Sequence, residues 1–236
     1  MADVTPDLTT AIPFWVETVA IGAGAVAGSL RAVRERLAIS GVVALAVAVG
    51  LGGGIIRDTL LQAGVPVALR EWWFLPIVLI AAAGAIVLRP LIDRLWWPVF
   101  ATDSLSIGLY TVLGAAKALR YDVPPVGAIL VGVLAGTGGS MLADLFVGVP
   151  PVLFRPGPLL GVSAAVGAST FVAGATLTGH RNAWFVVGVT LATVARIVSV
   201  ATGRGVGPAD RYEDVMRQVL RGLGRPRSTD DPPPGP

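Results

Sequence analysis

The chain has 236 residues, of which 54% are hydrophobic and 14% are charged, and its mean hydropathy is +0.74. A soluble domain of this size needs fewer apolar residues for its core, so the composition predicts an integral membrane protein. Zero cysteines exclude disulfides and thiolate metal sites, and a single histidine cannot form a histidine metal site by itself. The formal charge of +3 comes without a basic stripe carrying interleaved aromatic residues, which argues against nucleic-acid binding.

Seven apolar runs are long enough to cross a hydrocarbon core about 30 Å thick at about 1.5 Å per residue. They cover roughly residues 12–30, 38–61, 72–90, 100–118, 124–147, 158–178 and 183–201. No basic residue precedes the first run, so it lacks the start of a cleavable signal peptide and we expect it to be retained. Arginines are concentrated after spans one, three, five and seven. The positive-inside rule therefore predicts that the N-terminus lies outside and the C-terminus in the cytoplasm. We expect a multi-pass protein of the plasma membrane.

Spans one and two recur downstream as spans four and five. An offset of 86 residues aligns 17–58 with 103–144 without a gap, and 12 of the 42 aligned residues are identical. The repeating unit is three spans, which gives repeat one at about 12–90, repeat two at about 100–178 and a seventh helix at about 183–201. We predict an all-α fold, in which the second unit enters the membrane upside down because each unit has an odd number of crossings. Its two inverted three-helix repeats would frame a solute pathway near the midplane.

The chain changes character after its last span, so we divide it into a transmembrane domain at 1–202 and a cytoplasmic region at 203–236. Apolar residues recur at helical spacing between Asp210 and Leu223, with arginines at other positions. This pattern predicts an amphipathic helix on the membrane surface, or a short solvated or trimer-packing helix. Four prolines among the last five residues predict a disordered end.

A run of small residues lies inside span two and is repeated inside span five. The runs are Gly52, Gly53 and Gly54 in span two and Gly138, Gly139 and Ser140 in span five. Each glycine costs a helix about 1 kcal/mol, so we predict that both helices break there. A broken helix would turn backbone carbonyls and amides toward an ion or a polar solute. The alternative is close helix packing through small residues.

Polar side chains inside the spans are the other candidates for a pathway, because an unpaired charge costs a few kcal/mol in lipid. They are Glu17, Arg57, Asp58, Asp103, Ser106, Tyr110, Lys117 and Asp144. The offset aligns Asp58 with Asp144 and Glu17 with Asp103. The residue aligned with Arg57 is Ala143. These residues either face a permeating cation or serve as helix caps and snorkelling charges.

At these residues the sequence resembles the TRIC family, the trimeric intracellular cation channels, and the related bacterial membrane proteins with glycine transporter domains. The resemblance rests on Gly-Gly-Gly-Ile-Ile-Arg-Asp at 52–58, its echo at 138–144, the acid-to-glycine openings at 17–22 and 103–108, and seven spans. It implies a homotrimer with one pore per protomer, helices two and five broken at the glycine motifs, and conduction of potassium and sodium. Ser140 and Ala143 depart from the doubled motif.

The trimer comes from the resemblance, and span six offers small residues for close packing in such an assembly. These are Gly161, Ala164, Gly167, Ala168 and Gly174. We expect the permeating ions and membrane lipids as ligands, and neither a cofactor nor a further protein partner.

Two functions fit the residues nearly equally: a passive monovalent-cation channel and a secondary transporter of a small zwitterion such as glycine. The resemblance favours the channel, selective for potassium, and therefore a protein that is not an enzyme. An intramembrane aspartyl hydrolase is a third class, and it would need Asp58 and Asp144 to share a proton.

Overall fold

The computed structural model describes residues 14–88, 97–202 and 205–206, and this part of the chain is almost entirely helical. The helices are α1 (Phe14–Arg34), α2 (Ile39–Leu60), the short α3 (Val67–Arg70), α4 (Phe74–Val87), α5 (Trp97–Arg120), α6 (Pro125–Val147), α7 (Leu160–Thr178) and α8 (Arg181–Ala201). A 3-10 turn covers Val152–Phe154, and β1 (Gly157–Pro158) pairs antiparallel with β2 (Gly205–Val206). The predicted amphipathic helix at 210–223 and the predicted disordered end lie outside the described residues.

The described helices are those of a membrane protein. One helix overlaps each of the seven predicted spans, with α3 in addition. Five of them, α1, α2, α6, α7 and α8, are long and apolar enough to cross a membrane. The helix α4 has 14 residues, and α5 is longer but carries Asp103, Lys117 and Arg120. Large apolar side chains such as Leu177 and Val126 are more than three-quarters exposed, which suits a surface in contact with lipid.

Small residues form much of the buried core. The helix α1 packs against α2, α4 and α5, while α6 packs against both α2 and α5. Ala20 and Ala25 of α1, Ala46 of α2 and Ala135 of α6 are fully buried. Because small side chains let helix axes approach closely in a bilayer, these contacts place α1, α2, α5 and α6 at the centre of the protein.

The predicted breaks in spans two and five are wrong, because α2 and α6 run as continuous helices through both glycine motifs. The glycines instead allow the two helices to touch. A Cβ added at Gly139 would lie 2.9 Å from the carbonyl oxygen of Val49, and one added at Gly53 would collide with the carbonyl oxygen of Ala135. The alternative interpretation, close packing through small residues, therefore describes the motifs. Packing of this kind offsets the low helix propensity of glycine.

The small residues of α7 contact α8 within the same chain. A Cβ added at Gly167 would lie 2.8 Å from the carbonyl oxygen of Gly188, and Gly174 lies under the ring of Trp184. Ala164 and Ala168 are fully buried. Four of the five residues predicted for trimer packing are thus buried within the protomer, two of them against α8, and Gly161 lies against Leu153.

Candidate functional site

One group of charges gathers where the end of α2 meets the start of α1. Arg57 donates from Nη2 to Glu17 Oε1 at 2.6 Å and from Nε to Asp58 Oδ1 at 2.6 Å. Lys117 Nζ donates to the same Asp58 oxygen at 2.8 Å, and the amide of Val67 donates to Asp58 Oδ2 at 3.0 Å. We call Glu17, Arg57, Asp58 and Lys117 the Asp58 cluster.

The Asp58 cluster balances two carboxylates against two basic groups. The side chains of Arg57 and Asp58 are each 1% exposed, so these charges have exchanged water for each other. Removing one partner of such a buried pair leaves an uncompensated charge and costs about 3–5 kcal/mol. The cluster therefore fixes the end of α2 against α1, α5 and the start of α3.

A second group surrounds Asp144, at the end of α6. Asp144 Oδ1 accepts a hydrogen bond from Arg31 Nη2 at 2.5 Å and lies 3.6 Å from Arg155 Nη2, while its Oδ2 accepts from the amide of Val152 at 2.7 Å. We call Arg31, Asp144 and Arg155 the Asp144 cluster. The 86-residue offset that aligns Asp144 with Asp58 also aligns Lys117 with Arg31. Both aspartates thus bind one basic side chain of the other repeat and one backbone amide beyond their own helix.

The two clusters lie at opposite ends of the protein. Glu17 belongs to one and Arg31 to the other, and 14 residues of α1 separate them. At about 1.5 Å per residue this separation is about 21 Å along the helix. Asp58 and Asp144 therefore cannot share a proton, and the aspartyl hydrolase suggested as a third class is excluded.

Asp103 pairs with an arginine of the last helix. Arg196 Nη2 donates to Asp103 Oδ2 at 2.6 Å, and the guanidinium carbon lies 5.5 Å from the centre of the Phe100 ring. Arg196 is 7% exposed. Among the described residues, its Nε and Nη1 find no hydrogen-bond acceptor.

A cavity of about 270 Å³ opens beside this pair. Its polar lining comes from Arg31, Arg34, Asp103, Ser140 and Arg196. Three of these side chains are positive and one is negative, so the cavity carries a net positive lining. Ser140 is the predicted motif residue that replaces the third glycine.

The polar face of α5 runs from this cavity to the Asp58 cluster. Asp103 lines the cavity, and Lys117, 14 residues later, binds Asp58. Between them, Ser106 lies against Gly24 of α1, and the Tyr110 hydroxyl donates to the carbonyl of Gly50. Both side chains are buried. The four predicted residues of α5 thus lie along one line of polar groups.

Tyr110 also covers the first glycine motif. A Cβ added at Gly53 would lie 3.3 Å from Cγ of the tyrosine ring, and one added at Gly54 would lie 3.6 Å from its Cε1. A Cβ at Gly52 would instead meet Leu142 of α6 at 2.9 Å, and Gly138 lies under Ile56 of α2. The glycines of the first motif therefore contact both α6 and Tyr110, which belongs to the line of polar groups on α5.

A family model described as glycine transporter matches the chain twice, over residues 14–90 and 100–176. The chain belongs to this glycine transporter family. The two matches begin at residues 14 and 100, which is the same 86-residue offset that aligns the two halves of the sequence. A UPF0126 membrane protein of Deinococcus radiodurans is 32% identical over 155 residues, which cover 65% of this chain and 72% of the relative. The UPF0126 inner membrane protein YadS of Escherichia coli is 26% identical over 190 residues, which cover 80% and 87%.

The fold of this glycine transporter family member is that of the TRIC channels. A crystal structure of a TRIC trimeric intracellular cation channel orthologue from Rhodobacter sphaeroides superposes with a TM-score of 0.74. The sequences are 28% identical, and the match covers 80% of this chain and 97% of that one. The family resemblance predicted from the doubled motif is confirmed.

Three arginines that this family member places against the predicted acids are absent from the candidate residues of the sequence. Arg31 and Arg155 are among the arginines after spans one and five that predict the orientation, and both lie against Asp144. Arg196 was overlooked, although it lies five residues before the predicted end of span seven, and it binds Asp103. An arginine inside an apolar span indicates a buried partner, and this signal identifies Arg196 from the sequence alone.

Proposed function

We propose that this protein is a passive channel for monovalent cations, potassium in particular, with one pathway in each protomer. The observation that carries the proposal is the line of polar groups on α5, which joins the cavity at Asp103 to the Asp58 cluster within a single chain. The similarity to a structure described as a trimeric cation channel supports it. The protein is then a channel and not an enzyme.

The groups along the proposed pathway suit a weakly held cation. Carboxylate oxygens of Asp103 and Asp58 lie at its two ends, and the carbonyl of Gly50 lies between them. Oxygen ligands can replace part of the hydration shell of an alkali cation. Each of these groups accepts a hydrogen bond from an internal donor in this structure. The side chains that must move when an ion passes are therefore these donors: Arg196, Tyr110, Arg57 and Lys117.

The arrangement of the helices supports two inverted three-helix repeats followed by a seventh span. The N-terminal end of α1 supplies Glu17 to the Asp58 cluster, and the C-terminal end of α5 supplies Lys117. The equivalent helices of the two repeats therefore run in opposite directions, as an odd number of crossings requires. Arg31, Arg34 and Arg155 lie at the opposite end, so we place the Asp144 cluster in the cytoplasm, the Asp58 cluster outside and the protein in the plasma membrane.

We also propose the homotrimer that the solved relative's description names. Because Gly167 and Gly174 of α7 pack against α8 and Ala164 and Ala168 are buried within the protomer, the trimer contacts must use other surfaces. Membrane lipids cover the remainder.

The family description supplies one alternative, a secondary transporter of glycine. That mechanism uses the free amides of half-helices to bind the carboxylate. Since α2 and α6 continue through the motifs, their central amides are engaged in helical hydrogen bonds. The continuous helices therefore favour the channel.

The decisive experiment reconstitutes the purified protein in liposomes and compares two fluxes in the same preparation. We expect potassium flux driven by an imposed voltage, without saturable uptake of labelled glycine. Replacing Tyr110 with Ala removes the ring over the glycine motif and should raise the flux, whereas replacing the half-exposed Tyr121 should not. Saturable glycine uptake with little ion current would contradict the proposal.

A further inference from the structure

The two repeats neutralise equivalent acids with arginines from different helices. In the first repeat Arg57 of α2 binds Glu17 of α1. In the second repeat Ala143 occupies the arginine position, and Asp103 is the counterpart of Glu17. The arginine that binds Asp103 is Arg196 of α8, which lies outside both ranges matched by the family model.

The cavity occupies the space that an arginine fills in the first repeat. A Cβ added at Gly54 would lie 4.0 Å from Arg57 Nη2 and 4.0 Å from Glu17 Oε1, so the guanidinium lies beside this glycine. The offset aligns Gly54 with Ser140. Ser140 and Asp103 both line the 270 Å³ cavity. In the second repeat, which has Ala143 at the arginine position, the equivalent serine and acid thus border an open space.

Arg196 neutralises an acid as Arg57 does, but it makes fewer hydrogen bonds to carboxylates. Arg57 binds two carboxylates through Nε and Nη2. Arg196 binds one, and among the described residues its Nε and Nη1 are buried without acceptors. Buried donors without partners are unfavourable, and the face of Phe100 supplies a cation–π contact that offsets part of that cost. These contacts are expected for an arginine that neutralises an acid from outside the duplicated unit.

We propose that Arg196 replaces the arginine missing from the second repeat and sets the charge that an ion meets in the cavity. Asp103 supplies the carboxylate in the described lining of the cavity, beside Arg31 and Arg34, and Arg196 neutralises it. The inference rests on the proposed function, since it treats the cavity as one end of an ion pathway. Arg196 is therefore a residue that determines specificity and acts by neutralising Asp103.

The test uses the opposite signs of the two charges. Arg196→Gln leaves a free carboxylate and should raise potassium flux, whereas Asp103→Asn leaves a free guanidinium and should lower it. Each change is about threefold, the effect of one unit charge about 7 Å from the ion in water. The potassium-to-chloride permeability ratio, measured from reversal potentials, should move in the same directions, and Arg196→Lys should keep it near the wild-type value.

The double variant Asp103→Asn with Arg196→Gln should return close to wild type in flux and permeability ratio. Arg36→Gln is the matched control. Arg36 lies two residues beyond the end of α1, whose last turn supplies Arg31 and Arg34 to the cavity, and it is exposed and does not line the cavity. If both single variants change the flux in the same direction, the pair is merely structural and the proposal is overturned.

A second arm rebuilds the first-repeat arrangement. Ser140→Gly and Ala143→Arg, combined with Arg196→Gln, should bring the permeability ratio back toward wild type. Because this triple variant can fail to fold, the thermal stabilities of the two single variants and of the double variant are also compared in detergent. Additive stabilities would overturn the Asp103–Arg196 pairing, whereas a stable wild type without potassium flux would overturn the proposed function instead.

Discussion

Substitution of Gly139 by alanine tests the contact between α2 and α6 most sharply. The added Cβ would lie 2.9 Å from the carbonyl oxygen of Val49 and 3.2 Å from that of Ala48. Ordinary contacts begin at about 3.5 Å, so the helices must separate by several tenths of an ångström. Overpacking of this kind costs about 1–3 kcal/mol. The obstacles are backbone atoms, which cannot move aside as a flexible side chain can.

The matched control is Gly84→Ala in α4, where an added Cβ meets no atom within 4 Å. Both substitutions gain about 1 kcal/mol of helix propensity, so their difference isolates the packing cost. We expect Gly139→Ala to be less stable than Gly84→Ala by about 1–3 kcal/mol. At about 2–4 °C per kcal/mol, thermal unfolding in one detergent resolves this difference. Equal melting temperatures for the two variants would refute the close approach of α2 and α6.

Two further predictions concern buried polar groups. Asp58→Ala should destabilise the protein by about 3–5 kcal/mol, and by more than Asp103→Ala. Asp58 is 1% exposed and accepts three hydrogen bonds, whereas Asp103 is 25% exposed and accepts one from Arg196. Equal melting temperatures of these purified variants would count against the Asp58 cluster. Tyr110→Phe removes one of the two donors to the Gly50 carbonyl, which keeps its bond within the continuous helix α2, and should cost about 0.5–1.5 kcal/mol. Tyr121→Phe, at a residue 48% exposed, should change stability by less than about 0.5 kcal/mol. A Tyr110→Phe variant as stable as Tyr121→Phe would contradict that hydrogen bond.

The sequence predicted the helical segments because membrane thickness sets the length of an apolar run. The doubled motif also identified the family, since the 86-residue offset is visible without structure. The predicted helix breaks failed for a physical reason. Consecutive glycines lower helix propensity, but the contacts that compensate come from the facing helix, and a single sequence does not show which helix faces which.

The partners of the predicted acids were harder to foresee than the acids themselves. Buried carboxylates need counter-charges, and the sequence named Arg57 because it adjoins Asp58. The partner of Asp103 is 93 residues away in α8, and that of Asp144 is 113 residues away in α1. These pairings depend on helix packing. The offset itself, however, aligns Arg31 with Lys117 and could have suggested their equivalent roles.

The most direct measurement of the proposed pathway uses the chain's natural lack of cysteine. A single Ser140→Cys variant places a thiol in the cavity, and Leu130→Cys places one on the exposed side of the same helix, at a residue 59% exposed. Each variant is reconstituted in liposomes, and potassium flux is recorded before and after a cationic thiol reagent. We predict that the reagent blocks most of the flux of Ser140→Cys and leaves that of Leu130→Cys unchanged. Undiminished flux through Ser140→Cys protein that mass spectrometry shows to be fully modified would contradict a pathway through this cavity.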